Sequence, residues 1–540
     1  MKNKCFWALL FWFSLVPWAI SQSVTPVNPG QVERTAQRLT KLLRARGFEV
    51  KQGYAKLWTI DQCQYTVDRM GMCFGNNPAA PYVVPTVPMW PDESWIPRIN
   101  CVFGPCHPGT EDVYRLDPRE AIIILEETPP PSRYFSEQSW VFTREGMYDQ
   151  DRYNALVKLV DEGVLPDFVV PLFFSIVPNL PADVPQRISL FASLSNPINN
   201  FVIQTQTGTT PFSEQRYFIV TPDDYMNRAI RAAFESMSIS DTDIFNEEIP
   251  SELGIGTNSS LRIGLSQSSD DFTTLLRYSQ PDDGGGPGTA SYRWRKNLPF
   301  AVLRVRATDH EAEPYPAFTE ESLNKRSAFD EITAFRSDLN SVVSAVSSKW
   351  QHECIEANCS DQGAKSFFDV QVPPVSMVGS LCTPIGQNCL GDNWDASYQI
   401  YGRVSVDHGE IYAIAGTLGT RTGNATYVGL SVNDASEFIG LANLSDRVLQ
   451  DTAQMYAPTG TACPAKDHTN TADCMFVYYF ARDCSVVKSV TGENNCFEID
   501  KKLLPEGDSI VFAVRDYLAP GTPNGPDSSK VLPPVLIQVR

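Results

Sequence analysis

The sequence predicts a layered α/β or α+β unit in its N-terminal and middle part, followed by a smaller, mostly antiparallel β-rich C-terminal domain. Three observations lead there. Strand-like runs alternate with helical periodicities between residues 119 and 350. The stretch from residue 107 to residue 353 carries no cysteine, so its core must hold without bridges. Beyond residue 376 the strand-like runs follow one another with little helical pattern between them.

The chain opens with Lys2 and Lys4, then the apolar run Cys5–Val16, then small residues at Ala19 and Ser21. This three-zone pattern is that of a secretory signal peptide. The run is too short to span a hydrocarbon core of about 30 Å, and Pro17 breaks it. Residues 1–21 are therefore expected to be a signal peptide cut after Ser21, with no transmembrane segment in the mature chain and a secreted or periplasmic location. Of the 13 cysteines, Cys5 leaves with the signal and the rest are even in number. Pairing sequence neighbours gives Cys63–Cys73, Cys101–Cys106, Cys354–Cys359, Cys382–Cys389, Cys463–Cys474 and Cys484–Cys496, although spacing also admits the nested pairs Cys63–Cys101 and Cys73–Cys106. Such bridges suit an oxidising compartment.

In chain order, Val32, Ala36, Leu39 and Leu43 recur at helical spacing, and Gly47 ends a helix over 31–46. Residues 22–118 otherwise read as irregular, disulfide-braced structure packed with 119–350 as one domain. Strands are expected over 121–125, 140–143, 188–194, 201–205, 216–220 and 298–305. Thr221-Pro222-Asp223-Asp224 reads as a helix start, with Thr221 as cap, before Met226, Ile230, Ala233 and Met237. A long amphipathic helix is expected over 327–349, with Phe329, Ile332, Leu339, Val342, Val346 and Trp350 inward. A linker over 351–375 leads to the domain 376–540. There, strands are expected over 398–406, 410–417, 425–432, 475–481, 509–514 and 535–539, with one helix within 437–456.

The formal charge of −19 becomes about −21 once Lys2 and Lys4 leave with the signal. A surface so acidic, with no basic stripe, excludes a nucleic-acid partner. No nucleophile elbow, zinc-protease motif, phosphate loop or dinucleotide loop is present. The five histidines are scattered, so no metal is expected, and no cofactor. Four Asn-x-Ser/Thr sites, at Asn258, Asn358, Asn424 and Asn443, are as many as composition alone accounts for; if glycosylated, they would be surface positions.

Three segments remain as candidates. Asp309 and His310 follow a predicted strand; an imidazole flanked by Asp309 and Glu311 would have a raised pKa and could act as a general acid. Arg133 and Tyr134 follow another strand and could form an anion- or sugar-facing lip. Asn196, Asn199 and Asn200 could grip ligand hydroxyls. The plainer reading of each is structural: exposed charges, a polyproline-like connection and an ordinary turn. Two functions follow. One is an exported, soluble, non-catalytic binding or surface-interaction protein, whose partner is a ligand or protein, a carbohydrate among the candidates. The other is an extracellular or periplasmic hydrolase with its site in the middle unit.

Overall fold

The computed structural model describes residues 29–307, 309–319, 325–351, 364–407, 409–456, 463–464 and 470–539. The expected signal peptide, the Cys354–Cys359 pair, Asn358, residues 352–363 of the expected linker and three of the five histidines (His352, His408 and His468) lie outside them.

The first part of the chain builds one large sheet. Its strands are β1 (Glu49–Trp58), β2 (Tyr82–Pro88), β3 (Thr110–Glu111), β4 (Glu120–Glu127), β5 (Ser132–Glu145), β6 (Arg187–Ser193), β7 (Ile198–Asn199), β8 (Gln215–Thr221), β9 (Ile244–Glu248), β10 (Asp271–Pro281) and β11 (Phe300–Arg306). The order is β6-β5-β10-β2-β1-β11-β4-β8-β9, with β3 on β2 and β7 on β5. Only β8 and β9 run parallel. The sheet is thus antiparallel in character, and of the two expected classes α+β is the one observed. It curls: the Ser139 hydroxyl on β5 donates to Glu247 Oε2 on β9 at 2.9 Å, joining the second strand from one end to the strand at the other.

One face of this sheet is covered by helices Pro29–Ala45 and Asp224–Glu235. Val32, Ala36, Leu39, Leu43, Met226, Ile230 and Ala233 pack there on Ile123, Ile219 and Leu303. The other face is polar as well as apolar. Arg304 on β11 meets Glu93 at 2.7 Å, Glu111 at 3.0 Å and Glu120 at 2.9 Å, all four fully buried. Glu126 and Glu137 are also buried, and neither side-chain carboxyl has a hydrogen-bond partner among the described residues.

Two five-stranded sheets follow. One is built from β12 (Lys365–Ser366), β15 (Ile411–Thr417), β18 (Met475–Ala481), β19 (Cys496–Glu498) and β21 (Val535–Gln538). The other comprises β13 (Phe368–Asp369), β14 (Ala396–Ser405), β16 (Tyr427–Asp434), β17 (Gly440–Ser445) and β20 (Ser509–Tyr517). They face each other across a shared core in which Ile414 and Phe476 meet Val428 and Phe512. Along β20 the period of two decides what lies where. Ile510, Phe512 and Val514 enter that core, whereas Val511 and Ala513 join the core of the large sheet.

Several expectations are corrected. The long helix, Glu331–Gln351, was expected in the middle unit. Instead Phe335, Leu339, Val342, Val346 and Trp350 pack on Ile411, Ala413 and Val477 of the β15–β18 sheet. Buried Glu331 anchors it there, accepting from Thr417 at 2.7 Å, Asn424 at 2.9 Å and the Leu532 amide at 3.1 Å. Asn424 is consequently buried, not a surface glycosylation position. Conversely, helix Gly379–Ile385 and the residues after it, expected in the C-terminal domain, lie on the large sheet. The Cys389 and Gly391 amides donate to the Leu190 and Phe191 carbonyls, and a Cβ at Gly379 would stand 2.0 Å from the Ser193 oxygen.

Residues 201–205 are helical, in Asn200–Thr207, because Asn199 caps the Phe201 and Val202 amides and Gly208 closes the end at φ +68°. Asp223, not Thr221, caps the helix Asp224–Glu235; the Thr221 hydroxyl is spent on the Glu120 carbonyl. The one helix expected within 437–456 is the short Asp446–Leu449, which directly follows β17. The supposedly irregular 47–118 supplies β1 and β2, the centre of the large sheet. Cys63–Cys73, Cys101–Cys106, Cys382–Cys389, Cys463–Cys474 and Cys484–Cys496 are bonded. Among the described residues no helix is long and apolar enough to cross a membrane.

Two predictions follow from the polar face. Arg304→Met leaves three buried carboxylates without their cation and should cost about 3–5 kcal/mol in urea unfolding. Burial raises Glu247 and Glu120 to about 7 and holds Glu126 and Glu137 well above the usual range, Glu137 further because Glu126 and Glu247 are near. The native state therefore keeps protons that the unfolded chain releases above about pH 4.3, and stability falls as pH rises through 7. The melting temperature should be higher at pH 5 than at pH 8, and Glu137→Gln should narrow the gap. A melting temperature that climbs over this interval in both proteins would contradict protonated acids.

Candidate functional site: a cavity between two sheets

The large sheet and the β14–β20 sheet meet around a small cavity of about 40 Å³, enough for a few waters or a small anion. Its floor comes from the large sheet: Trp58 closes β1, Tyr82 opens β2 opposite it, and Leu275 and Arg277 alternate on β10. Its roof is Tyr398 on β14 with Arg515 and Tyr517 on β20, where Tyr398 pairs with Arg515. Two disulfide-braced turns fill the sides. Phe74-Gly75-Asn76 follows Cys73, and Leu390-Gly391 follows Cys389. Three lining residues that are not glycine hold left-handed or near-left-handed backbone: Phe74 at φ +55°, Phe191 at +32° and Leu390 at +53°. Backbone of that kind costs of order 1–3 kcal/mol per residue and gathers at ligand sites.

The two arginines set the chemistry. Arg277 donates to the Gly391 carbonyl at 2.8 Å and the Gln138 side-chain oxygen at 3.2 Å, and lies 4.7 Å over the Trp140 ring. Arg515 donates to the Gly75 carbonyl at 2.8 Å and the Ser431 hydroxyl at 2.5 Å, with its guanidinium 5.7 Å from the Tyr398 ring. Each is 7% exposed. All four acceptors are neutral, and no carboxylate among the described residues lies within 4 Å of either guanidinium. Buried cations are ordinarily paired, because desolvation is otherwise uncompensated.

The nearest acids are occupied elsewhere. Asp392 accepts from the Ser193 amide (2.7 Å), the Ser193 hydroxyl (2.6 Å) and the Gly379 amide (2.9 Å), and burial raises it to about 6. Asp395 accepts from Asn199 (2.9 Å) and Tyr134 (3.0 Å), and burial raises it to about 7. Burial also keeps Tyr398 and Tyr517 protonated, leaving their hydroxyls as potential donors. The lining contains no carboxylate, histidine, serine or cysteine.

No family model and no curated protein matches this chain. One solved structure, of an uncharacterised protein from Burkholderia cenocepacia, aligns over 96% of this chain and 92% of its own, at 10% identity and a TM-score of 0.33. A likeness at that score supports no statement about activity, which leaves the chemistry of the cavity to carry the functional reading.

The sequence candidates separate. Tyr134 and Asn199 meet on Asp395, and the Tyr134 ring lies 4.7 Å from Tyr517, one layer behind the cavity. Asn200 accepts from the Phe135 amide. Arg133 and Asn196 are exposed and line no part of it. His310 sits 2.6 Å from Asp223 and stacks on Tyr225, fastening a loop to the start of helix Asp224–Glu235; Asp309 beside it is exposed. The anion-facing arginine expected at 133 thus stands outside the cavity, and the arginines that line it are Arg277 and Arg515, which belong to no motif. Each is a lone cation in an apolar run, LLRYS and VFAVRDY. That pattern signals a buried charge once the run is known to be a strand.

Asn199 both caps a helix and holds Asp395. Asn199→Ala should lower stability by about 2–4 kcal/mol, whereas Asn196→Ala should change it by less than about 0.5 kcal/mol, as read by chemical denaturation.

Proposed function

We propose that the protein is an exported, non-catalytic binding protein that holds a small anion, an inorganic oxyanion or a carboxylate head group, between Arg277 and Arg515. The observation that carries this reading is the pair of buried guanidiniums at one cavity with only neutral acceptors. An anion there would replace the missing counter-charge, and the planar fork of arginine suits oxyanions and carboxylates. The absence of a nucleophile or acid–base pair in the lining favours binding over hydrolysis, as does the separation of His310 from Tyr134 and Asn199. The proposed working location is periplasmic or extracellular, after cleavage following Ser21. The five bridges are compatible with that location.

The test is a thermal-shift and calorimetric titration of dialysed protein with phosphate, sulfate, acetate and chloride. At a hundredfold excess over Kd, the bound anion should add about 2.7 kcal/mol of stability. Arg515→Gln and Arg277→Gln should each abolish the shift while leaving the anion-free protein as stable or more so, since an unpaired buried charge has been removed. No shift with any anion, or an equal shift in both variants, would reject the site.

A further inference from the structure

A second feature shares no residue with the cavity. Helix Cys63–Met70 and the loop 95–110 enclose an open groove of about 320 Å³, lined by Tyr65, Arg69, Trp95, Arg98, His107 and the Cys101–Cys106 bridge. Of the seven tryptophans in the described residues, six are buried and Trp95 alone is exposed, at 48%. An indole left in water beside a groove is a large apolar face without a partner.

The charge of the groove is opposite to that of the protein. Arg98 makes no hydrogen bond or ion pair among the described residues, and its Nε is both buried and unpartnered. Arg69 donates to the Tyr65 carbonyl of its own helix at 3.2 Å and lies 3.3 Å over the Tyr65 ring, with no carboxylate within reach. Two uncompensated guanidiniums thus share one groove in a chain of net charge −19. The groove is also held still. His107 stacks on Tyr54 at 4.1 Å, its amide donates to the Tyr54 hydroxyl at 2.8 Å, and its carbonyl accepts from Thr110 at 2.7 Å. The disulfide spans the same turn.

We infer that this groove binds a short acidic saccharide, with Trp95 against the C–H face of a sugar ring and Arg98 and Arg69 on its carboxylates. Three observations favour that class. The free cations ask for an anion, and the guanidinium fork fits a carboxylate. The exposed ring asks for a flat ligand with an apolar face and polar edges. A peptide would be expected to use a strand edge for its main chain, and the groove offers little of one: its walls are a helix and loops, and Thr110, from the two-residue β3, spends its amide on the His107 carbonyl. A long polyanion is disfavoured because the remaining surface is acidic; a short one stays within about a Debye length of the arginines.

The experiment titrates the full mature protein at low salt with trigalacturonate, maltotriose and a Glu-rich peptide, followed by tryptophan fluorescence and calorimetry. Trigalacturonate should bind and maltotriose should not. Arg98→Gln and Trp95→Ala should each weaken binding by roughly tenfold or more, Trp95→Phe should restore most of it, and Arg515→Gln should leave it unchanged. Thermal melts should show the groove variants folded, because Trp95 is exposed and the half-buried Arg98 holds no partner that its loss would leave unpaired. Absence of trigalacturonate binding, equal binding of maltotriose, or tighter binding of the peptide would overturn the proposal. Loss of binding in Arg515→Gln alone would move the saccharide to the inter-sheet cavity and overturn it as well.

Discussion

Arg304 lies at the middle of the large sheet and draws Glu93, Glu111 and Glu120 onto one guanidinium from three separate stretches of chain. It also donates to the Pro88 carbonyl at the end of β2 and to that of Arg115. These contacts bind β11, β4, β2 and β3 to the loops that cross their ends. Desolvating three carboxylates and one cation is expensive, so the cluster holds only while every member keeps its geometry. The position of β2 against β1 follows from it, and with that position the Trp58–Tyr82 floor of the cavity.

The cavity depends next on how the later sheets arrive. Strand β20 must present alternate residues to two cores: Phe512 and Val514 to the sandwich, Val511, Ala513, Arg515 and Tyr517 toward the large sheet. The segment carrying Cys382–Cys389 then adds to the edge at Phe191 and delivers the Gly391 carbonyl to Arg277. Gly75, in left-handed backbone at φ +61°, does the same for Arg515. A side chain at Gly75 would strike the Phe438 ring 2.5 Å away. Two of the five bridges, Cys63–Cys73 and Cys382–Cys389, thus stand two residues before the glycine whose carbonyl orients an arginine. Neutral carbonyls orient the guanidiniums without cancelling their charge, and a bound anion can then do the cancelling.

Periodicity served where burial was one-sided. The helix over 31–46 and the helix led by Met226 and Ile230 lie within two or three residues of where their patterns place them; β18, Met475–Ala481, is buried on both faces and is legible instead as a continuous apolar run. Periodicity failed where a strand faces a polar interior. β10 reads DFTTLLRYSQP and is buried almost throughout, yet its Thr, Ser, Arg and Asp residues give no apolar run. β2 carries Pro85 and Pro88, which argue against a central strand. Residues 201–205 have strand-forming side chains, but Asn199 satisfies two helix-start amides and overrides that preference. Helix Glu331–Gln351 had the correct apolar stripe, and nothing in a stripe says which sheet it will cover.

The sequence by itself determined which cysteines lie close enough along the chain to pair as neighbours, the amphipathic helices, and the acidic net charge. These are local or additive properties, fixed by composition and by side-chain period. Spacing left the nested pairing open, and the structure chose the neighbour one. The tertiary structure alone decided that Arg277 and Arg515, 238 positions apart in the chain, share one cavity, that Tyr134 and Asn199 meet on Asp395, and that Trp95 is, among the described residues, the tryptophan left in water. Those placements are set by the crossing of strands from different sheets. Residue spacing carries no information about such a crossing, because the free energy that selects it comes from burying surfaces that meet only once the fold has closed.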